Sequence, residues 1–365
     1  MNSAKWSKGL ILVSLVCGVL FFVWFFMQNK NFPESDLDKS FTRNTPSTKI
    51  MLGQNFIVGI PGLEIDEVTK EVLRDIKPGG IVLYRRNYKS PEQFKSLIED
   101  LQKIAKENRS EPFFIMIDEE PNGASRLDLL KDVFTLDLPD WGKIDQAIKT
   151  LEELGVNVVL APVVDYSFNE DSFIKERVPV KTLTDLMAFN KTFIELLDDH
   201  GISATLKHFP GAGVFIDDPH EKLPSEYVNK DFFNQSISLF DNGIEAGAEF
   251  VMINHAIYEN VDKDNPATLS YSIVTGLLKD QLGFEGIIIT DDIEDMLSLV
   301  WDVDPIDAGI RSLKAGNTMI MYSQNIKDTK EIFNNMEERI EGDQELRNII
   351  EGNYYDIIFF KQKRF

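Results

Sequence analysis

The sequence predicts an α/β protein, a (β/α)8 TIM barrel behind an N-terminal single transmembrane helix. Three observations carry this. Eight short apolar runs, most of them rich in Ile and Val, recur between residues 55 and 323. Stretches with helical spacing separate most of them. Gly9 to Met27, "GLILVSLVCGVLFFVWFFM", carries no charge. As a helix it spans about 28 Å, close to the thickness of a bilayer core.

The N-terminal run reads as an uncleaved anchor. Lys5 and Lys8 precede it, while Glu34, Asp36 and Asp38 follow, so the N-terminus stays cytoplasmic and the rest lies outside. A cleaved signal peptide calls for small residues after the apolar run, and this run ends in "WFFMQ". Cys17, the single cysteine, lies inside it, which excludes a disulfide framework or a thiolate metal site. Residues 1–27 are therefore read as the anchor and 28–48, rich in Pro, Ser, Thr and Asn, as a linker. Residues 49–350 form the barrel and 351–365 a C-terminal tail. The chain has 60 acidic against 38 basic residues, a net charge of −22, which disfavours nucleic acid or anionic lipid as a partner.

Each strand is legible in turn. The runs are "NFIVGI", "GGIVLY", "FFIMID", "NVVLAPVVD", "SATLKHF", "FVMINH", "GIIITDD" and "TMIMYS". They are too short for helices and too continuously apolar for one wet face, which implies a parallel sheet covered by helices. The helix from Ser90 shows the pattern between them. Ser90 caps, Pro91 suits the first turn, and Phe94, Leu97, Ile98 and Leu101 share a face. An open doubly wound sheet is the alternative, but no glycine fingerprint for a dinucleotide follows the first strand.

A barrel places working residues at the C-terminal ends of its strands. Asp118, Asp165, Lys207 with His208, Asn254 with His255, and Asp291 with Asp292 all end apolar runs. The chain has four histidines, and three of them, His208, His220 and His255, lie at or just after strand exits. His200 ends a helix, where an imidazole opposes the dipole. No metal-ligand spacing and no serine elbow appears, so the reading includes neither metal nor cofactor. Carboxylate and imidazole chemistry with cationic helpers suits glycoside hydrolysis. Asp118, Lys207 and His208 are placed to hold sugar hydroxyls, and Asp218 with His220 to form a dyad.

These segments resemble glycoside hydrolase family 3, in particular its single-barrel β-N-acetylhexosaminidases acting on cell-wall fragments. The resemblance runs from about Gly53 to about Ser323. "PGGIVLYRRN" is similar to the family's second-strand motif. "IDEE" with Arg126 resembles the ends of D-Q-E-G-G-R-V-x-R. "LAPVVD" resembles A-P-V-x-D, and "KHFPGAG" with "DPH" resembles K-H-F-P-G-H-G followed by D-S-H. "NPATLS" and "LGFEGIIITDD" are similar to P-A-T-L-S and L-G-F-x-G-V-x-x-S-D-D. The resemblance implies a retaining exo-acting enzyme with Asp291 as nucleophile and Asp218–His220 as a mobile-loop dyad, His220 being the general acid/base. It further implies that Asp118, Arg177, Lys207, His208 and His255 bind an N-acetylglucosamine-containing glycan. Arg177 matches through "FIKER" with a one-residue gap. Strand parity alone does not choose between Asp291 and Asp292.

The departures are specific. "PNG" at 121–123 stands where the family has Gly-Gly-Arg, and Ala212 stands for a histidine. Val214 and Phe215 stand for polar loop residues, and Pro219 for the serine inside the dyad. They leave two alternatives open: a catalytically degenerate, membrane-anchored amino-sugar binder, or a β-glucosidase or xylosidase of the same family.

Overall fold

The computed structural model describes residues 46–135, 138–298 and 302–365. The expected anchor over Gly9–Met27 lies outside them. Among the described residues, no helix is long and apolar enough to cross a membrane.

Eight parallel strands close into a barrel. They are β1 (Phe56–Gly59), β2 (Gly80–Leu83), β3 (Phe114–Ile117), β4 (Val158–Val159), β5 (Ser203–Phe209), β6 (Phe250–Ile253), β7 (Ile287–Asp292) and β8 (Met319–Tyr322). Each falls within one of the eight apolar runs. Their neighbours follow chain order, and β1 pairs with β8, Phe56 opposite Ile320, to complete the ring. The continuous apolar runs have a simple cause. Ile57, Val82, Phe114, Met116, Phe250, Met252, Ile287 and Ile289 fill the barrel interior. Phe56, Val58, Ile115, Ile117, Val251 and Ile288 face the surrounding helices, so both faces are dry.

The helices are α1 (Thr48–Gln54), α2 (Glu67–Ile76), α3 (Pro91–Glu107), α4 (Trp141–Leu154), α5 (Leu183–Asp199), α6 (Lys230–Glu245), α7 (Ser272–Gln281), α8 (Pro305–Ala315), α9 (Ile326–Glu341) and α10 (Gln344–Arg364). In α3 the Ser90 side chain accepts from the Gln93 amide, Pro91 starts the helix, and Phe94, Leu97, Ile98 and Leu101 are buried, as the spacing predicts.

The C-terminal stretch differs from the expected tail. Residues 351–364 continue α10 without a break at 350. Ile357 and Phe360 join the barrel-interior cluster. The Lys361 ammonium donates to Gly79 O (2.8 Å) and Gln54 Oε1 (3.0 Å) and lies 4.7 Å from the Phe114 ring centroid. Burial lowers the pKa of this lysine to about 7. A helix that closes the N-terminal mouth of the barrel belongs to the domain.

Candidate active site

The strand exits meet around a cavity of about 310 Å3. Its wall includes Asp118, Arg177, Lys207, His208, His220 and Asp291. Six of the eight residues expected to work together therefore share one concave surface. A volume near 300 Å3 is at the small end for ligand sites and fits one sugar-sized group better than a polymer run.

A ladder of alternating charge forms its floor. Arg126 donates to Asp118 Oδ2 (2.7 Å), and the Lys207 ammonium to Asp118 Oδ1 (2.8 Å). The same ammonium reaches Glu120 Oε1 at 2.6 Å. Arg177 then grips Glu120 with two bonds, Nε at 3.0 Å and a terminal nitrogen at 2.6 Å. Lys207 and Glu120 are each 1% exposed. Burial works against ionising Asp118 and Glu120, but the flanking Lys207, Arg126 and Arg177 cations prevail and hold both carboxyls below their usual range. Glu120 is the member that the sequence reading missed. The doubled acid in "IDEE" was its only signal, and the residue lies behind the cavity wall, where it positions Lys207 and Arg177.

His208 is oriented from beneath. Its backbone amide (3.1 Å) and Nδ1–H (2.7 Å) donate to Asp165 Oδ2, and the Ala212 amide donates to Asp165 Oδ1 (2.6 Å). Nε2 is left facing Arg177 at 3.4 Å. Asp165 thus serves His208 from a fully buried position.

The structure separates Asp291 from Asp292. Asp292 Oδ1 accepts the Glu294 (2.9 Å) and Asp295 (3.1 Å) amides, and its other oxygen accepts from Ser323. Burial raises its pKa. It is a cap and a core group. Asp291 borders the cavity, and its one hydrogen bond among the described residues is from the Asp292 amide (2.8 Å). Of the two, it is Asp291 whose carboxylate is free to meet a ligand.

His255 sits elsewhere than expected. It is 1% exposed, behind the wall. Nε2–H donates to the Asp292 carbonyl (3.2 Å), and Nδ1 lies 2.7 Å from the Thr268 hydroxyl, which also reaches the Asn254 carbonyl (2.6 Å). Burial lowers its pKa, the Asp291 charge opposing, which suits a neutral ring holding the Asp291–Asp292 backbone.

The dyad forms despite Pro219. His220 Nδ1–H donates to Asp218 Oδ1 at 2.8 Å, and the His220 amide donates to the same oxygen at 2.9 Å. The two side chains are about half exposed, and His220 borders the cavity. Partial burial opposes the Asp218 charge, but the bonds from His220 lower its pKa overall. His200, the fourth histidine, caps the end of α5 and pairs with Glu152 (2.7 Å) and Asp145 (3.2 Å) far along the chain. A bond to Glu152 raises its pKa.

Residues 48–351 match the Glycosyl hydrolase family 3 N terminal domain, five-sixths of the chain. The chain belongs to glycoside hydrolase family 3. It is thus an enzyme of the glycoside hydrolase class. A beta-hexosaminidase of Psychromonas ingrahamii is 30% identical over 255 residues, covering 65% of this chain and 73% of that protein. Beta-hexosaminidase A of Pseudoalteromonas piscicida is 30% identical over 282 residues, 70% of this chain, but the match spans only about half (47%) of that longer protein. Among solved structures, a family 3 beta-N-acetylglucosaminidase from Paenibacillus sp. superposes with a TM-score of 0.77 at 26% identity. The match covers 87% of this chain and 63% of that one. A Beutenbergia cavernae protein shares the fold over 99% of its own length, TM-score 0.77 at 24% identity.

Proposed function

We propose that this family 3 enzyme is a retaining, exo-acting β-N-acetylhexosaminidase that removes terminal N-acetylglucosamine from cell-wall-type glycans. The observation that carries the reading is the pairing of Asp291 and His220 on one small cavity, above a floor of Asp118, Lys207, Arg177 and His208. A single-sugar cavity suits cleavage at a chain end. The names of the relatives supply the sugar.

In this reading an Asp291 oxygen attacks the anomeric carbon and forms a glycosyl-enzyme. The bond from that carbon to the leaving oxygen breaks. The oxygen takes its electron pair and receives a proton from His220, whose ring Asp218 holds through Nδ1. In the second step His220 accepts a proton from water as water attacks the same carbon, and Asp291 leaves as a carboxylate. Asp118, Lys207, Arg177 and His208 hold hydroxyls by charge-assisted bonds.

The test follows from leaving-group chemistry. A general acid matters in proportion to how poor the leaving group is. His220→Ala is expected to lower turnover of an alkyl N-acetylglucosaminide by about 10²- to 10⁴-fold. A nitrophenyl substrate should still give a fast burst, followed by slow turnover that azide speeds. Asp218→Asn should act in the same direction and more mildly. Equal losses on both substrates, with no burst, would remove the acid/base role. A panel of aryl glycosides addresses the sugar: turnover of a glucoside or xyloside alone would shift the substrate class. Binding of oligosaccharides without any turnover would support a degenerate binder.

The N-terminal apolar run supports a single-pass anchor with the barrel on the extracytoplasmic side. The full chain is then expected to stay in membranes through alkaline carbonate washing. Recovery as a soluble species beginning near residue 28 would show cleavage instead.

A further inference from the structure

The segment carrying the dyad is fastened at both ends to one short strand, Ile257–Tyr258. Between Asp217 and Lys222 every hydrogen bond among the described residues is internal to the loop: Asp218 accepts from His220, Glu221 and Lys222, and Lys222 pairs with Asp217. In the middle of the loop only the buried Pro219 packs against the cavity, and among the described residues no hydrogen bond there leaves the loop. Its ends are held. On one side the buried Phe215 ring stands edge-on to Tyr258, centroids 5.3 Å apart at 82°. Just before it, Gly211 O accepts from the Tyr258 hydroxyl at 2.7 Å. On the other side Pro224 O accepts the Ile257 amide at 2.8 Å, and Ser225–Glu226 pairs in parallel with Ile257–Tyr258.

Tyr258 is 0% exposed and is not on the cavity wall. Its hydroxyl also accepts from Asn254 Nδ2 (2.7 Å), which donates as well to His208 O (3.0 Å). The phenol therefore ties the loop stem to the strand end that holds His208. Two glycines let the same stem pack closely on its other neighbours, Tyr166 and Ser236. A Cβ on Gly213 would meet Tyr166 O at 1.8 Å, and Gly211, at φ 123°, has Ser236 Oγ at 1.7 Å from that position. Phe215, one of the departures from the family pattern, completes the latch with an apolar anchor.

We propose that Tyr258 is a positioning residue for the Asp218–His220 dyad: with Phe215 it latches the loop so that His220 is held at the cavity instead of swinging free. The proposal rests on the acid/base reading of His220. An edge-on aromatic pair adds stability beyond its buried area, which suits a fixed stem.

The experiment compares Tyr258→Leu, Tyr258→Phe, Phe215→Ala and the Tyr258→Leu/Phe215→Ala double variant with His220→Ala, all in the full chain. Each is assayed on alkyl and nitrophenyl N-acetylglucosaminides. Misplacing a proton donor by about 1 Å can cost about 10²-fold. Tyr258→Leu is expected to lose about that much on the alkyl glycoside, while the nitrophenyl burst stays within a few-fold of wild type. Phe215→Ala should follow it, and the double variant should be no worse than the worse single, since both break one latch. Trypsin should cut after Lys222 faster in Tyr258→Leu. Tyr258→Phe keeps the ring and carries the test if Tyr258→Leu fails to fold, with a smaller loss in the same ratio. If His220→Ala itself shows no leaving-group dependence, the acid/base reading fails first. If His220→Ala shows it but the folded Tyr258 variants keep the wild-type ratio, the positioning proposal is overturned.

Discussion

Asp291→Ala is expected to lose turnover by about 10⁴-fold or more on every glycoside, whatever its leaving group. Without that carboxylate no glycosyl-enzyme forms, and a good leaving group offers no bypass. The loss should come with little change in stability. Among the described residues Asp291 accepts a single hydrogen bond, from its neighbour's amide, and its side chain borders the cavity. Asp292→Ala makes the informative contrast. It removes two amide caps and the Ser323 bond from a buried site, so melting should fall by an amount worth about 1–2 kcal/mol. Burst kinetics on a nitrophenyl glycoside, read beside a thermal melt, separates the two. A burst that survives in Asp291→Ala would exclude it as the nucleophile.

That contrast also marks where the sequence stops being legible. The eight strands could be read because burial on both faces leaves an unbroken apolar run, as in "FFIMI" and "GIIIT". Exposure of strand-end polar groups to one mouth follows from a parallel barrel, so the site's neighbourhood could be read too. The choice between Asp291 and Asp292 could not. It depends on a local departure from strand register, visible where Ile289 pairs with Met319 but Asp292 with Met321. Glu120 was missed because a buried acid looks like a solvent-exposed one until its cations arrive from residues 57 and 87 positions away. The last helix reads as a tail in the sequence for a related reason. Its inward positions are Leu346, Ile350, Asn353, Ile357 and Lys361, and two of those five are polar. Their partners, Asn55, Asn317, Gln54 and Gly79, come from other parts of the barrel. Pairings over such distances leave no periodic trace in the sequence.

Lys207→Met should produce the largest loss of stability, because it takes one of two cations from each of two buried carboxylates. The ammonium is buried between Asp118 (2.8 Å) and Glu120 (2.6 Å), and no other described group bridges them. Removing one partner of a buried ion pair costs up to about 3–5 kcal/mol, and here the remaining charges keep their desolvation penalty and lose part of their compensation. Asp118 keeps Arg126 and Glu120 keeps Arg177, so the variant should still fold, at a lower melting temperature. The pH dependence distinguishes lost charge pairing from lost packing. In the wild type both carboxyls are held below their ordinary values, Glu120 at about 2. The unfolded chain therefore takes up protons first as pH falls through about 4, and the stability these groups contribute drains away between there and about pH 2. In Lys207→Met the two folded-state values move up toward the unfolded ones, so less stability is lost on acidification. The gap between wild type and variant should be widest near pH 7 and narrow steadily below pH 5. Urea unfolding at a series of pH values measures it. A gap that stays constant from pH 7 to pH 3 would mean that the methionine's poorer fit, and not the missing charge, is responsible. The charge ladder would then be a consequence of the cavity's architecture, not what holds its floor in place.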